Sequence, residues 1–94
     1  MKVFIIFEEN HGMIGVCANR VSCAINYLLL TDWLSRDFVI SYEEKEDGIE
    51  YFTFSDMQKQ NPNWKEYLQG LSFDEFNELF EGSFCLEEEE VFSD

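Results

Sequence analysis

The chain has 94 residues, and 20 Asp and Glu against 6 Lys and Arg leave it at a net charge of −14 with histidine neutral. A polyanion gains nothing by neutralising phosphates, which argues against direct binding of nucleic acid and against anionic membrane surfaces. A hydrophobic content of 46% with 17% aromatic residues excludes a disordered acidic tail, so a single acidic α+β domain over 1–94 with a small core is expected.

In chain order, Lys2 to Glu8 is a β-branched and aromatic run that reads as a strand covered on both faces. Glu9-Asn10-His11-Gly12 reads as a turn, and Met13 to Ala18 returns as the second strand, where Gly15 marks a bulge or a close approach. Asn19 is placed to cap a helix in which Val21, Ala24, Ile25, Leu28 and Leu29 recur at helical spacing down to Trp33. Asp37 to Tyr42 and Ile49 to Phe54 form a second hairpin around Glu43 to Gly48, and the stretch from Ser55 to Gln60 is ambiguous. Pro62 opens a short helix from about Asn61 to Gln69, stopped by Gly70. Ser72 and Glu75 form a capping box for a last helix with Phe73, Phe76, Leu79 and Phe80 on its apolar stripe, and Phe84 to Phe92 closes as a strand. The predicted order is β-β-α-β-β-α-α-β, a small α+β domain with helices packed on a largely antiparallel sheet.

Charge divides the chain more sharply than composition does. Residues 1–36 are neutral, whereas residues 37–94 hold 17 acids against Lys45, Lys59 and Lys65, and no base follows Lys65. Little in the chain points to catalysis. His11 is the only histidine, and no nucleophile, base and orienter share a recognisable pattern, so no enzyme activity is expected. Cys17, Cys23 and Cys85 make an odd set without CxxC spacing, which fits reduced thiols. Glu87 to Glu90 with Asp94 lack the ligand pattern of an EF-hand loop, and no cofactor or metal is expected. The apolar run Val3 to Phe7 ends at Glu8 and Glu9, too short for a signal-peptide core, so a cytoplasmic location is the expectation.

What remains is carboxylates on a folded scaffold. Glu87, Glu88, Glu89 and Glu90 in an extended strand place alternate carboxylates about 7 Å apart on each face, a spacing comparable to that of phosphates along one nucleic-acid strand. Glu43, Glu44, Glu46, Asp47 and Glu50 extend such a surface if the middle hairpin lies beside the closing strand, and Asp74, Glu75, Glu78 and Glu81 add a helical row. Tyr42 and Phe92 are candidate aromatic anchors at its rim.

The opening MKVFIIFEENHGMIGVCANRVSCAINYLLLTDWL and the ending FNELFEGSFCLEEEEVF resemble small uncharacterised proteins of phages and prophages of Gram-positive bacteria. Among phage proteins, this size and acidity resemble anti-CRISPR proteins and other DNA mimics. That resemblance implies a stoichiometric inhibitor acting in the cytoplasm of the host bacterium. Its partner would be a basic nucleic-acid-binding protein, a bacterial defence nuclease, with the RNA-guided effector of a type II system favoured. Glu43, Glu44, Glu46, Asp47 and Glu87 to Glu90 are the expected partner-binding residues. The alternative is an acidic protein-interaction or regulatory module, monomeric or paired with a second copy, that imitates no nucleic acid.

Overall fold

The computed structural model describes residues 1–35 and 37–92. Strands β1 (Lys2–Glu8) and β2 (Gly12–Ala18) form the first hairpin and α1 (Val21–Leu30) follows. A second hairpin, β3 (Val39–Lys45) and β4 (Gly48–Thr53), leads into α2 (Phe54–Gln60), α3 (Trp64–Gln69) and α4 (Phe73–Leu79), and β5 (Phe84–Glu90) closes the order. All strand pairings are antiparallel, as the sequence predicts, but they belong to two sheets rather than one: β2-β1-β5, and β3-β4 by itself.

The first sheet is built on the alternation of β1. Phe4 and Ile6 point to the helices and are buried, together with Cys17 from β2 and Phe84 and Leu86 from β5. Val21, Ala24, Ile25 and Leu28 of α1 meet them, at the spacing that the sequence sets for one helix face. Phe73 at the start of α4 stacks on Phe4 with ring centroids 5.4 Å apart. Helices therefore cover one face of the sheet. Val3, Ile5 and Phe7 lie on the other, only half-buried, which corrects the expectation that this strand is covered on both faces.

Gly15 fulfils both roles foreseen for it. The β1–β2 register shifts between Ile6 and Phe7, where Ile6 pairs with Gly15 and Phe7 with Met13, leaving Ile14 as the extra residue of a bulge. A Cβ built on Gly15 would lie 2.9 Å from Cε1 and Cζ of Tyr27, whose hydroxyl donates to the Ile14 carbonyl and pins the ring in place. Gly15→Ala is expected to cost about 1–3 kcal/mol by overpacking. In a Tyr27→Leu background most of that cost should vanish, which a double-mutant cycle of urea unfolding measures.

Several boundaries differ from the prediction for local reasons. The helix α1 starts at Val21, so its N-cap position falls on Arg20, which makes no side-chain cap bond, and Asn19 sits one residue too early. At its other end α1 stops at Leu30, and Asp32 adopts a φ of 58°, a left-handed turn before Trp33. Phe54, expected to end a strand, is buried at the start of α2, the helix that takes up the ambiguous stretch from Ser55 to Gln60. A capping box explains that helix: Thr53 Oγ1 accepts from the Asp56 N–H at 3.2 Å while Asp56 accepts from the Thr53 N–H at 3.0 Å. The predicted box at Ser72 and Glu75 is formed with distances of 3.2 and 3.1 Å.

Both boxes carry a pH dependence. The backbone N–H of Thr53, then its hydroxyl, hold the Asp56 carboxyl below its ordinary range, and Ser72 does the same for Glu75. Each box is complete above the unfolded carboxylate pKa near about 4 and is lost as pH falls through the lower folded value. The variant Asp56→Asn, Glu75→Gln is neutral at every pH and stands in for the protonated acids. Its Tm should lie below that of the unsubstituted protein at pH 7, and the gap should close as pH falls through the lowered folded values.

Candidate acidic interface

The middle hairpin stands out from the body. Glu43 and Glu44, expected in its loop, are in β3, because the ladder continues through Glu43 opposite Glu50 and Glu44 opposite Ile49 to Lys45 opposite Gly48. Only Glu46 and Asp47 remain as the turn, and Gly48 closes it at a φ of 137° that other residues rarely adopt. Residues Ser41 to Tyr51 are all exposed. The radius of gyration is 14.6 Å, against about 12 Å for a compact chain of this length, and the longest dimension is 59 Å.

The hairpin presents two unlike faces. Tyr42 and Tyr51 are cross-strand partners on one, beside Ile49 and Glu44, with Tyr42 64% exposed. Glu43 and Glu50 are directly opposed on the other, an arrangement of like charges that a sheet ordinarily avoids, and Lys45 forms an ion pair with Glu50. Among the described residues Glu43, Glu44, Glu46 and Asp47 have no ion-pair partner.

The foot of the hairpin is held by the Phe54 N–H donating to the Phe38 carbonyl at 2.7 Å, and by Phe38 packing on Phe80 and Phe84. There the hairpin meets acids from two helices. A cleft of about 480 Å³ on one flank is lined by Glu43, Glu50 and Asp56, with Tyr42, Tyr51 and Gln60. A second cleft of about 630 Å³ runs between Ser41, Tyr42, Glu78 of α4 and Glu81 just beyond it. Among the described residues no Lys or Arg lines either cleft. Glu78 and Glu81 of the expected helical row thus join the hairpin, and Asp56 is an addition that sequence reading missed. Its only signal was the Thr53-x-x-Asp56 spacing, hidden under a strand-like pattern.

The four glutamates of β5 are placed differently. They belong to the other sheet, opposite Ile5, Phe4, Val3 and Lys2 in turn. Alternation splits them. Glu88 pairs with Lys2 at 3.5 Å and Glu90 with the N-terminal ammonium at 3.2 Å, on the side of the sheet that carries the helices. Glu87 and Glu89 lie on the opposite side, beside Ile5 and Val3. The condition for the hairpin to extend the β5 row, that it lie beside the closing strand, is not met by strand pairing: β3-β4 pairs with no strand of the first sheet. Phe92, expected as an aromatic anchor, is 92% exposed just beyond β5.

The outer edge of β5 is also occupied in part. Asn77 accepts the Leu86 N–H at 2.7 Å and donates to the Leu86 carbonyl at 3.3 Å, while the Phe84 N–H bonds to the Phe80 carbonyl at 3.0 Å. By alternation, the backbone groups of Glu88 and Glu90 face the remaining open edge, where like charges discourage pairing with another strand.

Among the described residues no group of three or more His, Cys, Asp or Glu is placed to hold a metal ion, and Asp94 lies outside them. No helix described is long and apolar enough to cross a membrane. His11 bonds the Glu8 carboxylate, which depresses that acid's pKa, and packs edge-on against Trp33 at 5.0 Å, so it serves the first turn. No family model, curated protein or solved structure matches the chain.

Proposed function

We propose that the chain is a stoichiometric inhibitor that places its acidic hairpin in the basic nucleic-acid channel of a bacterial defence nuclease. The type II RNA-guided effector is the target class that the sequence resemblance favours. The observation that carries this reading is the projecting hairpin itself, with Glu43, Glu44, Glu46 and Asp47 in no ion pair among the described residues and Asp56, Glu78 and Glu81 at its foot. Such an arm is about 20 Å long over seven residues, long enough to follow several phosphate positions of a bound strand. Carboxylates on it meet Lys and Arg that otherwise hold phosphates, and an approaching basic groove is steered by the same field that repels nucleic acid. Tyr42 and Tyr51 supply flat apolar surface where a channel stacks bases.

In this reading the eight expected partner-binding residues divide. Glu43, Glu44, Glu46 and Asp47 act together, and Glu87 to Glu90 contribute to the overall field without sharing their surface. The test is competition: a purified type II effector loaded with guide RNA is titrated with this protein and a labelled target duplex. Exclusion of the duplex at one protein per effector, weakening steeply as salt rises, is the expected result. A ternary complex of effector, duplex and this protein would overturn the mimic.

A further inference from the structure

We infer that the outer face of the three-stranded sheet is a docking strip for an amphipathic helix of a partner protein that carries Lys or Arg beside its apolar stripe. The face is defined by register. Phe4 and Ile6 are buried against the helices, so Val3, Ile5 and Phe7 point the other way, and their cross-strand partners Ala18, Val16 and Met13 on one side and Glu89, Glu87 and Cys85 on the other point with them. Seven of these nine side chains are apolar, two are acidic and none is basic. Met13 is 61% and Val16 56% exposed, and none of Val3, Ile5 and Phe7 packs against the core. No described helix covers this face. It continues into a cleft of about 450 Å³ at the Phe7 end, where Phe7, Cys85 and Glu87 meet the Gly82 turn.

Size and charge select the occupant. Three strands at their ordinary spacing, over the five residues from Val3 to Phe7, give a strip of roughly 14 by 17 Å, or about 240 Å². A helix is about 10–12 Å across and covers 17 Å in about eleven residues, which matches the strip. A stable dimer needs about 800 Å² from each partner, well beyond it. A second copy would also bring another 14 net negative charges, whereas Glu87 and Glu89 along the β5 border call for cations. Addition of a strand at the β5 edge is opposed by Asn77, which already occupies Leu86, and by the glutamates beyond it. The helix therefore lies across the face rather than extending the sheet, its apolar residues on Ile5, Val16 and Phe7 and its bases toward Glu87 and Glu89. This surface is distinct from the hairpin, and it does not depend on the nuclease reading.

The experiment uses two synthetic sixteen-residue helical peptides with the same Leu and Phe stripe, one flanked by Lys and the other by Glu. Amide shifts and calorimetry follow their binding to the full chain, to Val16→Glu, and to Glu87→Lys with Glu89→Lys. The Lys peptide is expected to bind at micromolar strength and to shift the amides of Lys2–Glu8, Gly12–Ala18 and Phe84–Glu90. Val16→Glu should weaken it by about tenfold or more, and the double lysine variant should reverse the preference in favour of the Glu peptide. Absent binding, shifts centred on the Val39–Thr53 hairpin, or an unreversed preference would each overturn the inference. So would a concentration-dependent dimer, seen by sedimentation and lost in Val16→Glu, since the strip would then hold a second copy.

Discussion

Replacing Phe80 with alanine is expected to remove about 3–5 kcal/mol of stability, the range found when a buried phenylalanine is truncated. Phe80 is fully buried, and its ring packs on Phe76 at 4.9 Å, Phe38 at 5.6 Å and Phe84 at 6.0 Å. It thus joins the end of α4, the foot of the hairpin and the start of β5, and its carbonyl accepts the N–H of Ser83 and of Phe84 at 3.0 Å each. Three elements held by separate backbone segments collapse poorly into a single cavity, which places the cost toward the upper end. A domain of this length has a total stability of about 5–14 kcal/mol, so roughly a fifth or more disappears. Urea unfolding followed by tryptophan fluorescence reads the loss as a lower midpoint at unchanged slope. Phe92→Ala, which truncates a side chain left in solvent, should stay within about 0.5 kcal/mol of the unsubstituted protein. Phe80→Leu, which keeps most of the volume, should leave the fold and loosen Phe38, so that amide exchange quickens first across Val39 to Thr53.

Much of this core is legible in the residues because its signals are local. The α1 face follows from spacing, and the α4 start follows from Ser72 and Glu75, whose reciprocal bonds need nothing beyond one turn of chain. The start of α2 rests on a bond of the same kind, but Thr53 and Asp56 follow directly on Ile49 to Phe52, and a strand pattern outweighs a cap when both fit. Sheet membership is harder. An apolar run such as Val3 to Phe7 looks identical whether helices cover one face or two, and the pairing of β5 with β1 joins residues 2 and 90 of the chain. The acidic surface shows the same division. Its charge and its concentration after residue 36 are plain from composition, and alternation already separates Glu87 and Glu89 from Glu88 and Glu90. That β3-β4 forms a sheet of its own, with Glu78, Glu81 and Asp56 beside it, depends on how Phe38, Phe54 and Phe80 pack across the molecule.

Reversing the charge of the hairpin, with Lys at Glu43, Glu44, Glu46 and Asp47, is expected to weaken binding to a basic channel by about a hundredfold or more while leaving the fold intact. Close charge pairs across an interface couple by roughly 1.5–7 kcal/mol, and reversal replaces attraction by repulsion at each of them. Folding is affected differently. All four side chains are exposed, none is needed by the core, and Glu43 stands directly opposite Glu50, so a lysine there turns a repulsive cross-strand pair into an attractive one. The Tm of the variant should therefore equal or exceed that of the unsubstituted protein, most clearly at low salt, where self-repulsion of the polyanion is least screened. Reversal of Glu87 to Glu90 provides the contrast. It breaks the pairs with Lys2 and the N-terminal ammonium, and should lower the Tm while weakening channel binding far less. The two variants carry the same change in net charge, so a general field effect would weaken both alike. A hundredfold loss confined to the hairpin variant, at undiminished Tm, identifies the arm as the interface. Equal losses in the two would assign binding to net charge and remove the hairpin from that role.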